Sequence, residues 1–394
     1  MIKYKVLAFS GNPTQYHSPL YRKLSSEKNI ELEVLFGDDI GGKPFFSKEF
    51  NATISWDVPV LDGYKYKFFK NFSSNQKKGF LSRNNPGIFF YVFRNNSKFV
   101  LLHGYDTLSS WYVYLASILS FKKIIWRGEA IDPINEKKDI SKRISSILKS
   151  FILPIYFLAC YKVLYSCKLN KKYLQKYLYF QTKKLTSFPC AVDNIFFHEN
   201  KLKDKYEIMN YKKSLKIPED NIVIASCSRL TRRKRTEEII DAMILSKRKD
   251  ITFLMIGDGP EKERLEKKSL EADLDFKCTG FVGQLEVAKI LSIADIFVLI
   301  SEYDASPKAL NEAMNFSLPI IVSSGVGTSR DLVVNNHNGF IIDNYDLKNL
   351  MGLLKRLFED KELRIFMGRN NAEIIKKYSL EEDVKSFKNI IENA

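Results

Sequence analysis

Five cations fall within seven residues, at Arg229, Arg232, Arg233, Lys234 and Arg235, directly after an apolar run at 222–226. A strand that runs into such a turn, with a helix to follow, aims cations and free N–H groups at one point, as a phosphate group requires. The same run would also serve as a solvated basic turn, so by itself it does not define a site. A second constellation, Ser301-Glu302-Tyr303-Asp304-Ala305-Ser306-Pro307-Lys308-Ala309-Leu310-Asn311-Glu312-Ala313-Met314, follows the apolar run 296–300. Ser306 is a good N-cap and Pro307 a good first helical residue, so a helix is predicted over 307–315, its free N–H groups facing a cleft. Asp304 then stands just before the helix and Glu312 about one and a half turns into it. Two carboxylates so placed can accept hydrogen bonds from sugar and ribose hydroxyls. Glu312 alone would read equally as a surface helix residue.

These groups need a scaffold, and the rest of the chain describes one. Apolar runs at 4–9, 30–36, 99–103 and 123–126 in the first half, and at 222–226, 251–256, 296–300 and 319–322 in the second, alternate with amphipathic stretches. Helices are predicted at 236–247, 261–271, 307–315 and 347–358. This is the pattern of parallel sheets covered by helices, an α/β class. A chain of 394 residues is too long for one core. We therefore read two doubly wound, Rossmann-like domains facing each other across a cleft, with ligands at the carboxyl ends of the strands. The junction falls near 188–200. The boundaries are 1–190 and 191–375, with a C-terminal helix in 376–394 packing back toward the first domain. The greasy stretch 151–165 contains Pro154 and Lys162 and is too short to cross a bilayer. It reads as a buried helix, with a segment that touches a membrane surface as the alternative.

Together these residues resemble glycosyltransferase family 4, the retaining GT-B enzymes, of bacterial surface-polysaccharide type. The family's Arg-Leu pair followed by Lys-Gly matches Arg229-Leu230 and Lys234, with Arg235 in place of the glycine. Its Glu-x7-Glu motif matches Asp304 and Glu312, with Asp at the first position. Gly257-Asp258-Gly259-Pro260 and Phe281-Val282-Gly283 also match, the latter where the family's backbone approaches the nucleotide base. Phe188-Pro189-Cys190-Ala191-Val192-Asp193 is similar to the interdomain segment, departing at Cys190 and Ala191. The loop Asn12–Tyr21 and the stretch 54–64, with Trp56-Asp57, are similar to a bacterial subgroup. The resemblance implies catalytic roles for Arg229, Lys234 and Asp304. It implies donor contacts from Glu312, Ser306, Pro307, Lys308, Ala309, Gly257, Gly259, Val282 and Gly283. Gln15, Tyr16, His17, His103, Arg127 and Glu129 are candidates for the acceptor side of the cleft. Trp126-Arg127-Gly128-Glu129 stands where many relatives carry a histidine, and His103-Gly104-Tyr105-Asp106 is its rival. The implied co-substrate is a nucleotide-diphosphate sugar, with neither metal nor other cofactor, and the implied acceptor is a glycan or a lipid-pyrophosphate-linked glycan.

Charge adds a partner. Residues 1–195 hold 30 Lys and Arg against 14 Asp and Glu, and residues 196–394 hold 32 of each, so the whole +16 lies in the first half. A basic face of this kind attracts an anionic membrane surface or a phosphorylated substrate. No nucleic-acid-binding module accompanies it. The five cysteines, Cys160, Cys167, Cys190, Cys227 and Cys278, form no C-x-x-C pair, and with four histidines they suggest neither a disulfide framework nor a zinc site. A cytoplasmic protein, peripheral on the inner face of the membrane, is the expectation. Asp273-Leu274-Asp275 reads as two solvated acids rather than a metal motif, and Gly325-Val326-Gly327 falls short of a dinucleotide fingerprint. A nucleotide-sugar epimerase and a non-catalytic nucleotide-sugar or nucleic-acid binder are the competing readings.

Overall fold

Each apolar run becomes a strand buried on both faces, as helix-covered parallel sheets require. The computed structural model describes residues 3–47, 52–73, 79–132, 140–343 and 346–394. Its first-half strands are β1 (Tyr4–Ser10), β2 (Ile30–Phe36), β3 (Phe45–Ser47), β4 (Ala52–Ile54), β5 (Lys65–Phe68), β6 (Phe99–His103), β7 (Lys123–Arg127), β8 (Cys160–Tyr165) and β9 (Leu185–Ser187). Apart from the β3–β4 hairpin they form one seven-stranded parallel sheet of order β5-β2-β1-β6-β7-β8-β9. The second half contributes β10 (Ile222–Cys227), β11 (Ile251–Ile256), β12 (Asp275–Cys278), β13 (Ile296–Leu299), β14 (Ile320–Ser323) and β15 (Gly339–Ile342). These pair in parallel in the order β12-β11-β10-β13-β14-β15.

The strand order reverses between β1 and β6 in one sheet and between β10 and β13 in the other. Loops leaving such neighbours part and open a crevice at the carboxyl ends of the strands. The basic turn follows β10 and the acidic segment follows β13, so topology alone puts them on either side of one crevice.

The last helix, Leu380–Glu392, belongs to the first sheet's core. Its Leu380, Val384, Phe387, Ile390 and Ile391 pack in one cluster with Val6, Leu20 and Phe36. Lys388 pairs with Glu27 at 2.6 Å and Asn29 donates to Glu392 at 2.7 Å, which fixes the helix beside the Ser18–Ser26 helix.

The greasy stretch 151–165 differs from its expected buried helix. It divides into the end of a helix, Ile140–Ala159, and the strand β8. Leu153, Tyr156 and Phe157 face the core, whereas Phe151 and Ile155 on the opposite side are 72% and 71% exposed. Helical spacing sends one set of apolar residues inward and the other out, so the segment is only half buried. Among the described residues no helix is long and apolar enough to cross a membrane.

Candidate active site between the two sheets

Strand β10 ends at Cys227, and the chain turns through Arg229 and buried Leu230 into the short 3-10 turn Arg232–Lys234. The Gly257–Gly259 turn after β11 backs this loop, with Leu230 N donating to Asp258 O at 2.8 Å. Lys234 forms an ion pair with Asp304 of the segment after β13. Arg235 has φ +52°, the left-handed region that favours glycine. Its guanidinium is held by Glu238 at 2.6 Å and by Glu302, which offsets the cost of placing a side chain there. Asp304 is fixed from below by the turn after β14: Asp304 N donates to Gly325 O at 3.1 Å and Gly327 N donates to Asp304 O at 2.7 Å. A Cβ on Gly327 would lie 2.1 Å from Ala305 O, so the Gly325–Gly327 turn is a bed for the acidic segment.

The helix after Asp304 spans Lys308–Met314, one residue later than predicted at its start. Pro307 occupies the N-cap position with no side-chain cap, and Ser306 does not cap; its hydroxyl lies 3.4 Å from Lys308 Nζ instead. The extended ψ of Pro307, 124°, keeps it outside the helix. Ala309 is buried in the second core, and Val282 packs against it.

Glu312 is 2% exposed and accepts a hydrogen bond from Tyr16 Oη across the cleft at 3.1 Å. Burial pushes its carboxyl up to about 7, against the opposing effects of the Tyr16 hydrogen bond and the Lys308 charge. Burial, followed by the charge of Glu312, pushes the Tyr16 phenol well above its usual range.

A second chain of polar contacts crosses nearby. Lys308 Nζ stands 3.4 Å from Glu129 Oε2, and Arg127 stands 3.7 Å from Glu129 Oε1. Burial would raise the Glu129 carboxyl, but Lys308 and Arg127 overcome it and hold it down at about 2. Arg127 also reaches Cys190 Sγ at 3.4 Å and lies 5.0 Å over the Phe188 ring. His17 and His103 sit with ring centres 4.6 Å apart, and Tyr21 Oη hydrogen-bonds His103 Nε2 at 3.1 Å. Burial and the Arg127 charge lower His17 to about 3, and burial with the His17 and Arg127 charges lowers His103 well below its usual value. Both rings are neutral at physiological pH; His103 hydrogen-bonds Tyr21, whereas the buried His17 Nδ1 has no hydrogen-bond partner among the described residues. Gln15 is buried as well.

His103 and Arg127-Glu129 were alternatives in the sequence; the structure brings them together with His17 in one wall. It adds Asp383, a buried acid of the C-terminal helix whose carboxyl burial pushes well up, against the charges of Arg127 and Lys308. The sequence signal was available, because Asp383 lies on the same helical face as Leu380, Val384 and Phe387. Of the rejected motif, Asp273 pairs with Lys249 and Asp275 with Lys277 at 2.8 Å. Among the described residues no group of three or more His, Cys, Asp or Glu could hold a metal ion.

Two doubly wound parallel sheets, with facing loops at their switch points, define the GT-B class. In agreement, the whole chain superposes on the HepE protein of Anabaena, solved with UDP and glucose, at a TM-score of 0.73 and 15% identity, covering 99% of this chain and 100% of that one. Residues 207–374 match the family described as "Glycosyl transferases group 1". A relative from Escherichia coli, the UDP-Gal:alpha-D-GlcNAc-diphosphoundecaprenol alpha-1,3-galactosyltransferase, is 29% identical over 36% of this chain and 36% of its own length. The poly(ribitol-phosphate) alpha-N-acetylglucosaminyltransferase of Staphylococcus aureus is 26% identical over 50% of this chain and 40% of its own. Matches to the first curated relatives thus span 36% to 51% of their lengths.

Proposed function

We propose that this protein is a retaining glycosyltransferase that moves a sugar from a nucleotide-diphosphate sugar to a glycan or lipid-pyrophosphate-linked acceptor, in the assembly of a bacterial surface polysaccharide of O-antigen or capsule type. The observation that carries the reading is the Lys234–Asp304 pair, with buried Glu312 on the helix that follows Asp304, all within the residues that match the group 1 family. Residues 1–190 would take the acceptor and 191–375 the donor. The difficult step is cleavage of the anomeric carbon–phosphate oxygen bond, which separates charge into an oxocarbenium-like sugar and a phosphate anion. Arg229 supplies a planar, permanently charged fork and Lys234 a point charge for that anion. Asp304 orients Lys234 and faces the sugar hydroxyls, while Glu312 takes the ribose. The leaving phosphate assists deprotonation of the acceptor hydroxyl. Mass spectrometry of products from a panel of nucleotide sugars, with and without a lipid-linked acceptor, tests the reading. Conversion of the donor without any acceptor would instead identify an epimerase.

Because cationic side chains neutralise the diphosphate in this mechanism, activity is expected to persist in excess chelator. Loss on chelation, restored by manganese or magnesium, would contradict it.

The acceptor's lipid places the enzyme on the inner face of the membrane. The exposed side of the Ile140–Ala159 helix supports this, with Phe151 and Ile155 open to solvent; Tyr156 of that helix stacks on Tyr114 of the Leu108–Leu119 helix, whose Leu119 is exposed, as is Phe121 in the turn that follows. Between residues 140 and 192 the sequence contains no Asp or Glu, while Lys149 and Lys162 lie in the same segment. Apolar side chains within a cationic surround fit an anionic bilayer interface. Sedimentation should show binding to anionic vesicles that weakens with salt and with Phe151→Asp. Equal, negligible binding to anionic and neutral vesicles would remove the surface from the proposal.

A further inference from the structure

The Gln284–Ser292 helix starts in the second half without a cap of its own: its N-cap residue is Gly283, and no side chain of its own segment reaches its free N–H groups. The cap comes from the opposite sheet. Asp57 Oδ1 accepts from Gln284 N at 2.9 Å and Oδ2 accepts from Leu285 N at 2.8 Å. One carboxylate thus satisfies two orphan donors and places a negative charge at the positive end of the helix.

The fit excludes a side chain on the capped residue. A Cβ on Gly283 would stand 2.2 Å from both Asp57 Cγ and Oδ2. Its φ of −77° is open to any residue, so close approach, not backbone conformation, is what requires glycine. Beside the carboxylate, the Trp56 ring lies 6.1 Å from that of Phe281. The loop that carries both residues is anchored in the first half, with Ser18 Oγ donating to Val60 O at 2.7 Å and Arg22 Nη2 to Pro59 O at 2.8 Å. Asp57 is therefore presented from a braced loop.

We propose that Asp57 is a positioning residue for the donor: by capping the Gln284–Ser292 helix across the cleft, it couples approach of the two domains to the placement of the Phe281–Gly283 turn. This rests on the donor reading above, in which that turn lies against the nucleotide base. When the domains part, the helix exchanges a charged cap for water and the turn loses its support. Donor affinity then depends on a residue of the acceptor half.

The experiment compares Asp57→Ala, Asp57→Asn, Gly283→Ala and the Asp57→Ala/Gly283→Ala double variant in the full chain. Steady-state kinetics are read with the donor identified by the product screen, and small-angle scattering is recorded without ligand. Asp57→Ala should raise the donor KM about tenfold while kcat stays within about threefold, and Asn, which keeps one acceptor oxygen, should recover part of the loss. Gly283→Ala, which expels the carboxylate sterically, should match Asp57→Ala, and the double variant should be no worse than either. Scattering should report a larger radius of gyration for the Ala variants. An unchanged KM with unchanged scattering would overturn the proposal, as would additive losses in the double variant. If no nucleotide sugar serves the wild-type protein, the donor reading fails, and scattering still decides whether Asp57 holds the domains together.

Discussion

Arg229→Ala and Lys234→Ala should each lower kcat by about 30- to 1000-fold at saturating donor, corresponding to roughly 2–4 kcal/mol of lost transition-state stabilisation. Negative charge on the leaving phosphate is greater in the transition state than in the bound donor, so cations aimed at it act mainly on turnover. The Lys234 change has a second consequence, because Lys234 is the ion-pair partner of Asp304. Removing the cation leaves that carboxylate beside the incoming phosphate, so Lys234→Ala should also weaken donor binding, whereas Asp304→Asn should mainly reduce turnover. Single-turnover rates with saturating donor separate the effects. A kcat within threefold of wild type for both cation variants would remove them from the chemistry.

Glu312→Gln should produce a more stable protein that binds its donor poorly. The buried carboxyl titrates at about 7 when folded, against an ordinary value of 4.5. The folded state therefore holds a proton that the unfolded chain gives up, and stability falls as pH rises through that interval. The contribution is fully present below about 4.5 and lost above about 7; the interval corresponds to about 3 kcal/mol. Gln keeps an acceptor for Tyr16 Oη and carries no charge, so denaturant midpoints should be similar at pH 5 and higher than wild type at pH 8.5. Donor binding loses its charged acceptor at the same time, which should raise Kd by about 10- to 100-fold. A parallel pH dependence of stability in wild type and variant would exclude Glu312 as the titrating group. In the proposed mechanism the buried acid lowers stability for the sake of donor binding.

The central strands and the two motifs that the fold brings to one crevice were readable because they obey local rules. Strands β1, β10, β11 and β13 are dominated by apolar residues, and Asp304 and Glu312 lie at a fixed spacing along one segment. The edge strands were not readable. Lys65-Tyr66-Lys67-Phe68 and Asp275-Phe276-Lys277-Cys278 have alternating polar residues because one flank of each has no strand neighbour, and they resemble loops until their partners are known. The β8 strand was hidden by its continuity with an apolar helix. Cross-cleft pairs such as Tyr16–Glu312 and Glu129–Lys308 join positions far apart in sequence, and no periodicity within one segment encodes them. Asp57 was visible as a motif, but its task depends on a helix that begins at Gln284.

The C-terminal helix has a consequence for how the protein is made. The first sheet's core is completed by Leu380, Phe387 and Ile391, which the ribosome adds after the whole of the second sheet. Domains generally fold as units in order of synthesis. Here the leading half must wait with Leu20, Tyr21 and Leu24 uncovered on one flank, while the trailing half can close its own sheet first. The order of completion is therefore the reverse of the order of translation. The last helix ties the nascent halves together only when both are present.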